Sequence, residues 1–259
     1  MTPKVRLYVF LVAGAGLFIY LIWGFSGLPD FGHYVGPYGD ILNKIAVPER
    51  SNTDVVTAVN FDYRAIDTLG EEFILFAAVV GVASLLRTLH GESSRDPDDD
   101  APGRRVPETS LAIRVAGLGL VAPTVLVGIY VVLHGHQAPG GGFQGGVILA
   151  TALLLTYLSA DYMTMRRVGP TELIEAAESA GAVGFVLIGL AGLVFGTAFF
   201  ENVLGKGTPG QLNSAGLIPF SNVAVGLAVT GGFAFMLSEF LLQTLVRRGT
   251  SGGRKRKGP

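Results

Sequence analysis

The sequence predicts an all-α integral membrane protein with about six transmembrane helices. Three observations predict it. Of 259 residues, 49% are hydrophobic and only 15% charged, whereas soluble domains carry about 25% charged residues. Uncharged runs recur along the chain at lengths near the roughly 20 residues that cross a bilayer as a helix. The 37 glycines form no collagen-like period, and small residues of this kind let membrane helices approach closely.

The first uncharged run, Leu7 to Pro29, follows Lys4 and Arg6. Basic residues before an apolar run also begin signal peptides. This run is too long for one, however, and no small-x-small cleavage pattern follows between Phe25 and Asp30. An uncleaved spanning helix is expected, with Tyr20 and Trp23 as interfacial anchors. The second run, Phe73 to Leu86, is short. It spans only if Leu69, Gly70, Glu71 and Glu72 enter the membrane edge. Val115–Leu133, Phe143–Ala160 and Ser179–Phe200 supply three more helices. The last run, Gly207 to Ser238, is expected to turn helical near Phe220.

Orientation follows from the connections. With the N-terminus inside, all but Lys44, Arg50, Arg64 and Lys206 of the 19 lysines and arginines fall on the inner side. The positive-inside rule then places both termini in the cytoplasm. Residues 91–109 are polar, charged and Pro-punctuated, and read as a cytoplasmic linker. The expected organisation is a two-helix membrane segment with an outer amphipathic helix over 1–90, the linker, a four-helix membrane domain over 110–247, and a basic tail over 248–259.

A net charge of −1 gives no case for nucleic acid. With no cysteine, disulfides, thiolate-held iron–sulfur clusters and Cys-ligated zinc are excluded. No phosphate loop, dinucleotide fingerprint or hydrolase triad is present. Candidate chemistry rests on a few polar residues. The segment before the second helix carries Asp62, Arg64, Asp67, Glu71 and Glu72. Asp67-Thr68 with Glu71 has the spacing of a capping box. The competing reading is a charge cluster at the mouth of an ion path, since acids embedded in membranes are usually functional. Glu239 lies within the last apolar stretch, where it either pairs near the inner interface or serves transport. Asp161 is expected at the inner end of the fourth helix. Glu172, Glu175 and Glu178, spaced by three, are expected on a solvated cytoplasmic helix face.

The most distinctive stretch joins the third and fourth helices. Leu133 to Gly146 contains His134, His136, Pro139, Gly140, Gly141, Gly142, Phe143, Gln144, Gly145 and Gly146. Its composition predicts a tight reversal with close backbone packing. The two histidines either fix this turn or exchange protons at the outer face. At i, i+2 with no obvious third ligand, they are weak as a metal site.

This stretch, continued by the apolar helix to Tyr157-Leu158 and two further helices to about Leu245, closely resembles the signature of the B subunit of Mrp-type multisubunit sodium/proton antiporters. Asn52 to Arg64 and Asp67-Thr68-Leu69-Gly70-Glu71 resemble the tail of the large A subunit. A related segment occurs in small subunits of membrane-bound hydrogenases and of other complexes related to respiratory complex I. The usual B subunit has only the four later helices, so a front pair in the same chain is a departure. The resemblance implies an accessory subunit in the cell membrane, packed in the lipid bilayer against large antiporter-like and small subunits. It implies transported Na⁺ and H⁺ and no cofactor. It favours Glu71 as an ion-path residue, followed by Asp62 and Asp67, then His134 and His136. A membrane module of a redox-driven pump and a purely structural scaffold are the competing readings.

Overall fold

The computed structural model describes residues 3–29, 31–32, 36–86 and 109–253, with side chains described no further than residue 242. The expected linker lies almost wholly outside the described residues, as does most of the basic tail. Among the described residues the structure is helical and contains no strand. Six helices are long and apolar enough to cross a membrane.

The chain forms two compact units, Met1–Ile41 and Leu42–Pro259. The first contains α1 (Pro3–Ser26), a continuous apolar helix exposed along its described length. The unit boundary falls within α2 (Pro37–Arg50). That helix carries Asp40 in its first turn and Arg50 in its last, the polarity that complements a helix dipole.

In the second unit, α3 (Val55–Ala58) is capped by Asp54, whose side chain accepts from Val56 N. It runs directly into a π-helical turn, Val59–Tyr63. The amphipathic helix expected here is therefore split into two winding modes, and α2 supplies an additional helix. After Arg64, α4 (Ala65–Leu86) is continuous over 22 residues. It thereby takes Glu71 and Glu72 into the span. The capping box expected at Asp67 does not form, because the helix already begins at Ala65. Asp67 instead pairs with Arg64, and Thr68 Oγ1 donates to Asn60 O at 2.8 Å.

The remaining helices are α5 (Leu111–Leu133), α6 (Gly142–Ser159), the short α7 (Tyr162–Val168), α8 (Thr171–Phe195) and α9 (Ile218–Gly253). Ser110 caps α5 by accepting from Ile113 N. Asp161 is the N-cap of α7, accepting from Thr164 N at 2.6 Å. The last helix begins two residues before the expected Phe220.

Helix α9 is the hub, packing on α4, α5, α6 and α8. Small residues set its distances. A Cβ on Gly146 would lie 2.8 Å from Val229 Cβ, and one on Gly181 would lie 2.3 Å from Ala228 N. Membrane helices gain little from hydrophobic association, so such contacts and their dispersion energy carry the packing. At the end opposite the α7 connection, Phe185 is fully buried, 5.9 Å from the Phe61 ring and 4.9 Å from that of Phe200. This aromatic cluster ties the π-helical turn to α8.

Candidate ion-path site

The Gly-rich reversal is a folded platform. His134 ends α5, stacks on Tyr130 with ring centroids 4.1 Å apart, and has Nδ1 3.2 Å from Tyr130 O. Gly141 takes φ 129°, which side-chain-bearing residues rarely adopt. The next residue, Gly142, donates its N–H to the buried Asn222 Oδ1 at 2.9 Å. A Cβ on Gly142 would lie 2.6 Å from Asn222 O, and one on Gly145 would lie 2.4 Å from Val132 Cγ2. Gly142, Gly145 and Gly146 are buried, whereas Gln144 and Pro139 are exposed and Phe143 and Gly140 are half-buried.

His136 is 1% exposed and accepts from Gln137 Nε2 at 3.1 Å. Burial pushes its imidazole below the usual histidine value, partly offset by backbone groups of Gln211 and Leu212. It is a neutral, packed residue of the turn.

The same reversal holds the segment before α4. Thr53 Oγ1 donates to Gln137 O at 2.7 Å, and Asp54 N donates to His136 O at 3.4 Å. Thr57 Oγ1 is 2.6 Å from Gly135 O and 2.6 Å from Asp54 Oδ2, with one hydroxyl proton between them. The two stretches that carry the sequence resemblance are thus bonded to each other.

Asp62 sits in a polar clasp. Its Oδ1 is 3.1 Å from Arg50 Nε, and its Oδ2 accepts from Asn202 Nδ2 at 3.0 Å. Asn202 also reaches Ala215 O and Leu217 N, at 3.0 and 2.9 Å. The Arg50 guanidinium lies 4.7 Å from the Tyr63 ring centroid. Tyr63 donates to Glu49 Oε2 at 2.8 Å, and burial with this bond pushes its phenol up to about 12. In the α8–α9 connection, Glu201 accepts from Thr197 and Ala198. These bonds hold its carboxyl below the usual range.

The two adjacent acids on α4 face different ways. Glu71 is exposed, whereas Glu72 is 6% exposed and its Oε1 has no hydrogen-bond partner. Consecutive helical residues point about 100° apart, which separates a buried acid from an outward one. Arg64 and Asp67 are exposed as a pair.

On α8, Glu172 and Glu175 are exposed as expected, but Glu178 is 8% exposed. Its expected place on a solvated face is overturned by the approach of α9, since a Cβ on Gly231 would lie 2.5 Å from Glu178 N. A signal for this is present in the sequence. Glu178, Gly181, Phe185, Gly189 and Gly192 form one buried helical stripe. Glu239 is half-buried on α9, within electrostatic range of Arg166 and Glu175. Among the described residues, no three histidines or acids are grouped to hold a metal ion.

These features define a class: a multi-pass helical membrane protein with acids built into its spans and a glycine-locked reversal between two of them. Residues 112–235 match the family model of a domain related to the MnhB subunit of Na⁺/H⁺ antiporter. The chain belongs to this MnhB family. An uncharacterised protein of Methanocaldococcus jannaschii is 31% identical over 240 residues, covering 85% of this chain and 89% of that protein. The B subunit of the Na⁺/H⁺ antiporter of Bacillus subtilis is 40% identical over 81 residues, 31% of this chain and 56% of that protein.

Two solved structures resemble the fold over most of its length. A chain of the membrane-bound sulfane sulfur reductase, an archaeal respiratory membrane complex, matches with a TM-score of 0.69 and 30% identity, over 93% of this chain and 99% of that one. A chain of the Mrp complex from Dietzia sp. DQ12-45-1b matches with a TM-score of 0.66 and 26% identity, over 92% of this chain and 26% of that one. The front helix pair, a departure from the usual B subunit, therefore has structural counterparts.

Proposed function

We propose that the protein is an integral membrane subunit of a multisubunit cation/proton antiporter, exchanging Na⁺ for H⁺, and that it contributes both to assembly and to the ion path. One observation carries the ion-path part. Glu71 is exposed on a membrane-spanning helix, about 9 Å from its start at 1.5 Å per residue. An acid facing hydrocarbon at that depth is costly, and such residues face protein or a water-filled path. A neighbouring small or large antiporter-like subunit covers that face, and Glu71 serves the path between them.

In this reading, residues 1–90 act as the A-tail-like segment and 110–247 as the B-like domain, joined through the linker. Both termini are cytoplasmic, and the Gly-rich reversal is at the outer face. Asp62, Asp67 and Arg64 shape the approach to Glu71, while His134 and His136 hold the reversal that supports it. Na⁺ and H⁺ are cargo, and no cofactor is assigned to this chain.

The likeness over 99% of a respiratory-complex chain favours a second reading: the same module in a redox-driven pump, with electron transfer in partner chains. Isolating the native complex through a tag on this chain separates the two. Antiporter subunits alone, with Na⁺-dependent proton movement, support the first. Stoichiometric redox subunits overturn it in favour of the second.

A further inference from the structure

Glu72 and Glu178 stand apart from the outward-facing Glu71. Both are more than nine-tenths buried, and in each Oε1 has no hydrogen-bond partner. They come from different spans, α4 and α8, and each lies within reach of like charges: Glu72 feels Glu71 and Glu178, and Glu178 feels Glu175. An ionised carboxylate buried without a partner carries a large desolvation cost, whereas its protonated form does not. Glu72 opens onto a groove of about 390 Å³ between α4 and α8, whose walls include Leu69, Phe73, Phe76 and Val183. Hard cations take several oxygen ligands. These apolar walls do not supply them, but a proton needs a single carboxylate oxygen.

We propose that Glu72 and Glu178 form an intramembrane proton-holding pair within this chain, connected along α8 to the face where that helix begins. The charged groups facing the pair are Glu71 on α4 and Glu175 on α8. Glu239 on α9 lies further along, next to Glu175 and Arg166. One face of α8 therefore carries Glu178, Glu175 and Glu172 as successive carboxyl steps from the buried pair to the helix end. Gly231 closes the α9 side and keeps Glu178 from water. The pair rests on no assumption about which cation is exchanged, and it is distinct from Glu71.

The test uses the native complex in its membrane, treated at neutral pH with dicyclohexylcarbodiimide, an apolar reagent that adds to protonated carboxyls. This chain is then mapped by mass spectrometry. The expected result is adduct on Glu72 or Glu178, decreasing as pH rises, and lost from the segment in the paired variant Glu72→Gln with Glu178→Gln. Absence of adduct from both residues overturns the proposal, as does equal labelling at the exposed Glu175. In reconstituted vesicles, the Gln variants are expected to lose most proton movement while remaining assembled. Assembled variants with undiminished proton movement also overturn it. The labelling result stands whether the complex proves to be an antiporter or a redox-driven pump, so the failure of either reading is separately visible.

Discussion

Glu178 and Gly231 are in backbone contact across two spans: a Cβ on Gly231 would lie 2.5 Å from Glu178 N and 2.6 Å from Ile174 O. The glycine brings α8 and α9 together and, by doing so, buries an acid. Packing and chemistry are therefore one feature here.

Gly231→Ala is expected to force α8 from α9, at a cost of about 1–3 kcal/mol typical of overpacking. Thermal unfolding of the detergent-solubilised complex checks this. A larger residue such as Val is expected to abolish assembly, read as loss of this chain from the purified complex.

Asp62 is expected to act as a pin. It holds Arg50 and Asn202 together, and so ties the end of α2 and the π-helical turn to the α8–α9 connection. Hydrogen bonds to charged groups contribute about 1.5–3 kcal/mol each. Asp62→Ala is therefore expected to lower the yield of assembled complex. Asp62→Asn, which retains an acceptor for Asn202, is expected to restore most of it. Ion exchange per assembled complex, measured in vesicles, is expected to stay unchanged in Asp62→Asn.

How far the sequence reaches is visible in these residues. Six spans, the helical class and the reversal at His134–Gly146 follow from run length, charge spacing and glycine content, which are local properties. The division of labour between Glu71 and Glu72 does not. Nothing in the uncharged window reveals that α4 begins at Ala65, and only that start brings both acids into the span. Glu178 is hidden for a related reason. A three-residue acid spacing fits a solvated face, and only the glycines of a helix more than 40 residues later bury its third member. Asn222 and Asn202 are similarly silent, because their partners lie far away in the chain.

His136 gives a pH signature. Its folded value is below the ordinary histidine value of 6.5, so between the two the unfolded chain binds more protons. Stability therefore rises with pH through that window: the contribution is fully present above about 6.5 and is lost progressively as pH falls below it. Thermal unfolding followed against pH is expected to show this acid-side loss. In His136→Gln the slope is expected to flatten.

The central claim is that this chain places an ion-path acid, Glu71, on the face it presents to a neighbouring subunit. Na⁺-driven proton movement by the purified complex in sealed vesicles, compared between the native chain and Glu71→Gln at equal assembly, tests it most directly. The expected result is that an imposed Na⁺ gradient drives an opposing pH change in the native complex and that Glu71→Gln abolishes most of it. An assembled Glu71→Gln complex with full Na⁺-dependent proton movement would contradict the claim.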